Sequence, residues 1–218
     1  MEKKLVDQEI SSYIIQFQEE ELKRIATELH EGIGQTLYGI YTSLGFLETG
    51  LDQPEMKQYM QETALLMEKT INEVRMLSVE LYPPALEIGL VPAIKSYAKL
   101  FTSTYGIIVE IESSGTPQDI SKSGKLVLFR VCQEALANIA KYAGTSCASI
   151  IIEWEPSLVK MQIQDYGEGF DLKEALKKTS GLAAMKGRMD LGGGTFSAES
   201  EIGKGSAIKV SLPLEQPS

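Results

Sequence analysis

The chain has 218 residues, a hydrophobic fraction of 43% and a formal net charge of −9, which suits a folded soluble protein of one large domain or two small ones. The acidic balance excludes broad nucleic-acid binding, which needs a basic footprint, and disfavours docking on anionic lipid. No apolar run reaches the length of a membrane span, Met1-Glu2-Lys3-Lys4 is not a signal peptide, and Cys132 and Cys147 lie in apolar stretches without metal-ligand spacing, so a cytoplasmic protein with two reduced, buried thiols is expected.

Apolar residues at Leu22, Ile25, Leu29, Ile33, Leu37, Ile40, Leu44, Leu47 and Leu51 recur three or four apart, predicting a long helix that begins near Val6 and runs to about Leu51. His30, the chain's one histidine, follows Leu29 and so falls on the shoulder of the apolar stripe, partly facing water. Glu31 follows it, and Gln35 lies about one turn further on. Such an imidazole can act as nucleophile or proton carrier, although taken alone it reads most simply as a surface histidine. After a turn at Asp52-Gln53-Pro54, Met56, Met60, Ala64, Met67, Ile71, Val74 and Leu81 mark one face of a second helix, and the methionines read as core packing. The two helices form an antiparallel hairpin whose apolar stripes exceed what one partner can cover, so a symmetric dimer forming a four-helix bundle is expected.

Tyr82-Pro83-Pro84 ends the second helix, and the texture then changes. A short helix from Pro92 to about Thr104, a strand at Ile107–Ile111, a helix at Gly124–Ala143, a hairpin of strands Ala148–Trp154 and Leu158–Gln164, a helix at Leu182–Leu191, and strands at Thr195–Ala198 and Ser206–Leu212 are expected. This order predicts an α+β sandwich with helices on one face of a mixed sheet. Glu215-Gln216-Pro217-Ser218 reads as a frayed tail.

Four polar and glycine-bearing clusters occur in this second half. Glu134, Asn138 and Lys141 are spaced to share a helix face, where Asn offers a hard oxygen to Mg²⁺, Glu can hold a metal-bound water and Lys can meet a phosphate. Asp165-Tyr166-Gly167-Glu168-Gly169 follows a strand; its glycines permit close backbone approach, and its aspartate suits the exocyclic amine of a base such as adenine. Gly181-Leu182 opens a basic helix whose amides and dipole favour phosphate, and Gly203-Lys204-Gly205-Ser206 makes a turn between strands. Each cluster has an ordinary reading as a polar helix face or a turn; their order is what informs. Neither a P-loop nor a Rossmann fingerprint is present.

Together these residues resemble the sensor histidine kinases, specifically the two-component subfamily that signals to response regulators with helix-turn-helix output domains. Leu29-His30-Glu31-Gly32-Ile33-Gly34-Gln35 is similar to the subfamily's phosphoacceptor motif, Glu134–Ala143 to its N box, Asp165–Gly169 to its G1 box, Gly181-Leu182 to its G2 region, Gly203–Ser206 to its last glycine turn, and Leu81–Leu86 with Gly89-Leu90 to its interdomain linker. Two positions differ: Glu31 stands where Asp is usual, and Tyr142 where the N box usually has His, so Tyr142 is given no essential role.

The resemblance implies a dimeric helical hairpin (residues 1–84, dimerisation and histidine phosphotransfer) followed by a GHKL, or Bergerat-type, ATP-binding α/β sandwich (residues 85–218). It implies ATP and Mg²⁺ as cofactors, with Asn138 and Glu134 at the metal and Asn138, Lys141, Asp165, Gly167, Gly169, Gly181, Leu182, Gly203, Gly205 and Ser206 at the nucleotide. His30 would be the phosphoacceptor, Glu31 its tautomer-fixing base and Gln35 the residue that positions a hydrolytic water. Asp171–Ser180 would be a nucleotide-ordered lid, and Pro83-Pro84 the hinge. The implied partners are a second copy of the chain and a response regulator, with no membrane contact in this chain, which would form the cytoplasmic part of a sensor. The alternatives are a degenerate kinase serving as a nucleotide-binding scaffold, a phosphatase-dominant regulator, and a GHKL serine kinase; the last needs no histidine-bearing hairpin.

Overall fold

The structure, a computed structural model, describes residues 22–49, 53–172 and 180–214. The expected helix start near Val6, the turn residue Asp52, most of the Asp171–Ser180 segment and the tail at 215–218 lie outside the described residues. Two compact units divide at Pro84: Met1–Pro84 and Ala85–Ser218.

In the first unit, helical residues 22–27 lead into a π turn, Glu28–Gly34, and then into α1, Gln35–Thr49. Apolar spacing predicts a regular helix throughout, and the π turn is a departure from it. Its backbone bonds span five residues instead of four, and glycines at 32 and 34, poor α-helix formers, lower the cost of leaving the α register. Helix α2 is Pro54–Leu81, with proline at its first position where no N–H partner is needed. Gln61 Nε2 donates to Glu48 Oε1 at 2.6 Å, Ser78 Oγ to the Ala26 carbonyl at 2.9 Å, and Lys23 Nζ stands 4.9 Å from the Tyr82 ring centroid. These pairings run in opposite directions along the chain, so the hairpin is antiparallel. In α2 only Ile71 and Ser78 are buried, while Leu65 and Leu66 are 65% and 67% exposed. The hairpin therefore leaves much of its apolar surface uncovered. Among the described residues no helix is long and apolar enough to cross a membrane.

In the second unit, α3 (Leu90–Tyr105) ends at Gly106 in the left-handed conformation that closes helices at low cost, and β1 (Ile108–Ser114) follows. Helix α4 (Lys122–Asn138) is capped by Ser121, whose hydroxyl accepts the Gly124 N–H at 3.2 Å, and it passes into a second π turn, Ile139–Ala143. Strands β2 (Cys147–Trp154) and β3 (Leu158–Asp165) form the expected hairpin, followed by α5 (Ser180–Leu191), β4 (Thr195–Glu201) and β5 (Gly205–Pro213). The sheet order is β1-β2-β3-β5-β4, with β1 parallel to β2 and the other pairs antiparallel. Alternation buries one face: Ala148, Ile150 and Ile152 of β2, Val159, Met161 and Ile163 of β3, and Ile208, Val210 and Leu212 of β5. Polar Gln162, Gln164 and Lys209 lie on the other face, half-buried. The helices supply Phe101, Phe129, Leu128, Leu136, Met185 and Met189 to the core, with Tyr97 edge-on to Phe129 at 5.6 Å. Cys132 is buried, as expected; Cys147 is exposed, because the alternation of β2 turns it away from the core.

Candidate functional site

β3 ends in Asp165, whose carboxylate is only 2% exposed. A buried carboxylate needs donors, and the local chain supplies two. Gly167 donates its N–H to Oδ1 at 2.9 Å, closing a turn on the aspartate, and Ser206 donates its hydroxyl to Oδ2. Ser206 reaches it because register pairs Asp165 of β3 with Ser206 of β5. Each oxygen still has a second acceptor direction.

The loops around Asp165 are tied by backbone. Glu168 N–H donates to the Ala143 carbonyl at 2.8 Å, and Gly203 N–H donates to the Glu168 carbonyl at 2.7 Å. Phe170 N–H donates to Ser200 Oγ at 2.8 Å. The end of the α4 segment, the turn after β3 and the turn before β5 are thus one hydrogen-bonded assembly. Gly205 permits one of the close passages: its φ of +89° is left-handed, and a Cβ there would run into the Asp165 backbone.

A cavity of about 270 Å³ opens beside this assembly. Asn138, Asp165, Gly169, Gly181, Leu182 and Ser206, six of the residues singled out in the sequence, line it. Glu134 joins from the side: a Cβ on Gly181 would collide with Glu134 Oε1 and meet Asn138 Nδ2 at 3.4 Å, so the α4 face and the start of α5 are in close apposition. Gly167, Gly203 and Gly205 shape the loops without lining the cavity. Lys141 is exposed and does not line it either. Lys141 lies within the π turn, so it does not continue the α-helical face of Glu134 and Asn138 that three-and-four spacing implies.

The remaining walls were not singled out from sequence: Ala135, Ile139, Tyr142 and Ala143 from the α4 segment, and Ile163, Phe170 and Ile208. Ala135 and Asn138 are three apart on α4, so the helical period before Asn138 carried part of the signal, while Ile139, Tyr142 and Ala143 follow in the π turn. Tyr142 is 69% exposed yet lines the cavity, which places its ring at the rim. No cluster of three or more His, Cys, Asp or Glu able to hold a metal occurs among the described residues.

In the other unit, His30, Glu31 and Gln35 are all exposed; His30 and Glu31 lie within the Glu28–Gly34 π turn, and Gln35 is its C-cap. Among the described residues the Glu31 carboxylate makes no hydrogen bond to the His30 ring.

Residues 21–86 match the family described as histidine kinase, and residues 124–216 match the family described as histidine kinase-, DNA gyrase B-, and HSP90-like ATPase. The chain belongs to the histidine kinases. Among its relatives, the oxygen sensor histidine kinase NreB of Staphylococcus carnosus is 34% identical over 92% of this chain and 58% of its own length. The signal transduction histidine-protein kinase/phosphatase DegS of Brevibacillus brevis is 30% identical over 92% of this chain and 53% of its own length. This histidine kinase chain thus spans a little over half the length of these relatives. The fold is also that of the histidine kinase domain of the Erythrobacter litoralis EL346 blue-light activated histidine kinase, with a TM-score of 0.51 at 10% identity over 83% of this chain and 94% of that one. The helical region followed by a sandwich of the GHKL type is the architecture the sequence predicts, and the second unit contains an ATP-binding domain of that family.

Proposed function

We propose that the chain binds Mg-ATP in the cavity of its second unit, transfers the γ-phosphoryl group to His30, and passes it to an aspartate of a response regulator. The observation that carries this reading is the cavity itself: Asn138, Asp165, Gly181 and Ser206 come from four separated segments and meet around one space. On this reading residues 1–84 serve dimerisation and phosphotransfer, and residues 85–218 serve catalysis.

Asp165 accepts the exocyclic amine of adenine through its remaining acceptor capacity. Ile139, Ile163 and Ile208 give the base an apolar wall, and Tyr142 and Phe170 offer it aromatic surface. The amides of the first turn of α5, at Gly181 and Leu182, face phosphate with the favourable end of the helix dipole, and exposed Lys141 supplies the local positive charge that an acidic protein needs for such a ligand. Asn138 and Glu134 bring hard oxygen donors of the kind Mg²⁺ takes alongside phosphate and water. When bound, that ion neutralises charge on the phosphates.

His30 Nε2 attacks the γ-phosphorus, forming a P–N bond as the P–O bond to ADP breaks. The Glu31 carboxylate holds the proton at Nδ1, which keeps Nε2 unprotonated and more nucleophilic. The phosphoryl group then moves from nitrogen to a regulator carboxylate. In the opposite sense, Gln35 orients a water that hydrolyses the regulator's acyl phosphate; DegS carries both kinase and phosphatase in its name, which supports this second role. The exposed apolar side chains of α1 and α2 are covered by a second copy of the chain.

The test is incubation with labelled Mg-ATP followed by acid and base treatment. The expected phosphoprotein is lost in acid and retained in base, and His30→Ala abolishes it while nucleotide binding persists. Continued labelling of the His30→Ala chain would sink the assignment, and an acid-stable label would mark a hydroxyl acceptor.

A further inference from the structure

Two polar side chains are buried among the described residues: Asp165, in the cavity already described, and Ser78, with no exposure at all, in the helical hairpin. Hydroxyls on helices ordinarily bond back to their own helix, and here Thr27, Thr36, Thr63 and Thr70 each donate to the carbonyl four residues earlier. Ser78 does not. Its hydroxyl crosses to the facing helix and donates to the Ala26 carbonyl at 2.9 Å. Ala26 is itself buried, so the two helices approach closely through a pair of small residues at this point.

The acceptor is specific in its consequence. In an α-helix the carbonyl of residue 26 is the partner of the residue 30 N–H, and in a five-residue register it is the partner of residue 31. The π turn begins at Glu28, two residues beyond Ala26, and contains His30. The Ser78 hydroxyl therefore bears on a carbonyl immediately ahead of the point where the helix changes register. A shift of register turns every later side chain about the helix axis.

We propose that Ser78 is a positioning residue for His30: its hydrogen bond to the Ala26 carbonyl holds the register that opens into the π turn and so fixes the direction in which the imidazole is offered to the nucleotide. The inference rests on His30 being the phosphoacceptor. Ser78 never touches the reacting atoms; it acts on the helix that carries them. Misplacement of a reacting group by about 1 Å is enough for rate losses on the order of a hundredfold, so a hydroxyl bonded to the helix about one turn before the imidazole has leverage.

The experiment compares Ser78→Ala, Ser78→Thr and Ser78→Val in autophosphorylation across a range of ATP concentrations. Thr and Val have nearly the same shape and differ in the hydroxyl, so their comparison isolates the hydrogen bond from any crowding at the buried site. The expected result is a maximal labelling rate roughly tenfold or more below wild type for Ala and below Thr for Val, with half-saturating ATP unchanged. Ile71→Val, which trims a buried contact of the same helix without touching Ala26, should keep the wild-type rate. Equal rates for Thr and Val, or an Ile71→Val loss as large as that of Ser78→Ala, would overturn the proposal. Labelling that survives His30→Ala would instead overturn the phosphoacceptor reading, so the two failures are distinct.

Discussion

Ser206 donates its hydroxyl to Asp165 Oδ2, joining the second residue of β5 to the last residue of β3 in the lining of the cavity. The bond reaches a buried carboxylate, so its loss leaves charge partly uncompensated. Ser206→Ala is expected to cost about 1–3 kcal/mol of stability in denaturant unfolding and to weaken nucleotide binding. Asp165→Asn keeps the size but replaces an acceptor with a donor, and nucleotide affinity should fall roughly tenfold or more by fluorescence titration. Wild-type affinity in both variants would remove Asp165 from the base-binding role.

A Cβ at Gly181 would run into Glu134 Oε1, the end of a flexible side chain, and come into ordinary contact with Asn138 Nδ2. Gly181→Ala should therefore swing the Glu134 carboxylate away from the start of α5 while leaving the helix itself intact. Binding of an ATP analogue should weaken by about tenfold, with circular dichroism unchanged. An unchanged affinity would show that the apposition is incidental to nucleotide binding.

The two thiols should behave differently. Burial pushes the Cys132 thiol up to about 12 from its ordinary 9.0, whereas Cys147 is exposed. A thiol reagent at pH 8 should modify one cysteine in the native chain and two after denaturation. The pH dependence has a definite sign. Between the ordinary 9.0 and about 12 the unfolded chain releases the Cys132 proton while the folded chain keeps it, so this contribution is complete below 9.0 and is lost as pH rises through that window. Cys132→Ala should flatten the alkaline decline of stability, whatever its effect at neutral pH.

Leu65 and Leu66 are the most exposed leucines of α2, and burying them is the simplest use for the face they occupy. Leu66→Glu should convert a dimer into a monomer by sedimentation and abolish any dependence of Tm on protein concentration. A dimer that persists would place the contact on another face of the hairpin.

The sequence announced most of these elements because the physics that builds them is local. Apolar periodicity located the two helices of the hairpin and α4, and runs of strand-forming residues located the β2–β3 hairpin. The π turns around His30 and at Ile139–Ala143 left no such trace, because a register change of one residue barely disturbs an apolar pattern. For that reason Lys141 stands off the face that three-and-four spacing gives Glu134 and Asn138. The cavity's polar residues were legible as motifs, but walls such as Ile163 and Ile208 were not, since a cavity-facing isoleucine and a core isoleucine look alike in sequence. The Ser78–Ala26 bond spans 52 positions and depends on helix pairing that no local pattern encodes.

Glu168 joins three loops through its own peptide groups, receiving Gly203 on its carbonyl and giving its N–H to Ala143. Its side chain takes no part in those two bonds. The position should therefore accept almost any amino acid and refuse proline, which has no N–H to give. A residue can thus be indispensable in backbone and interchangeable in identity, and a mutational scan that stopped at alanine would pass over one of the joints on which the pocket is assembled.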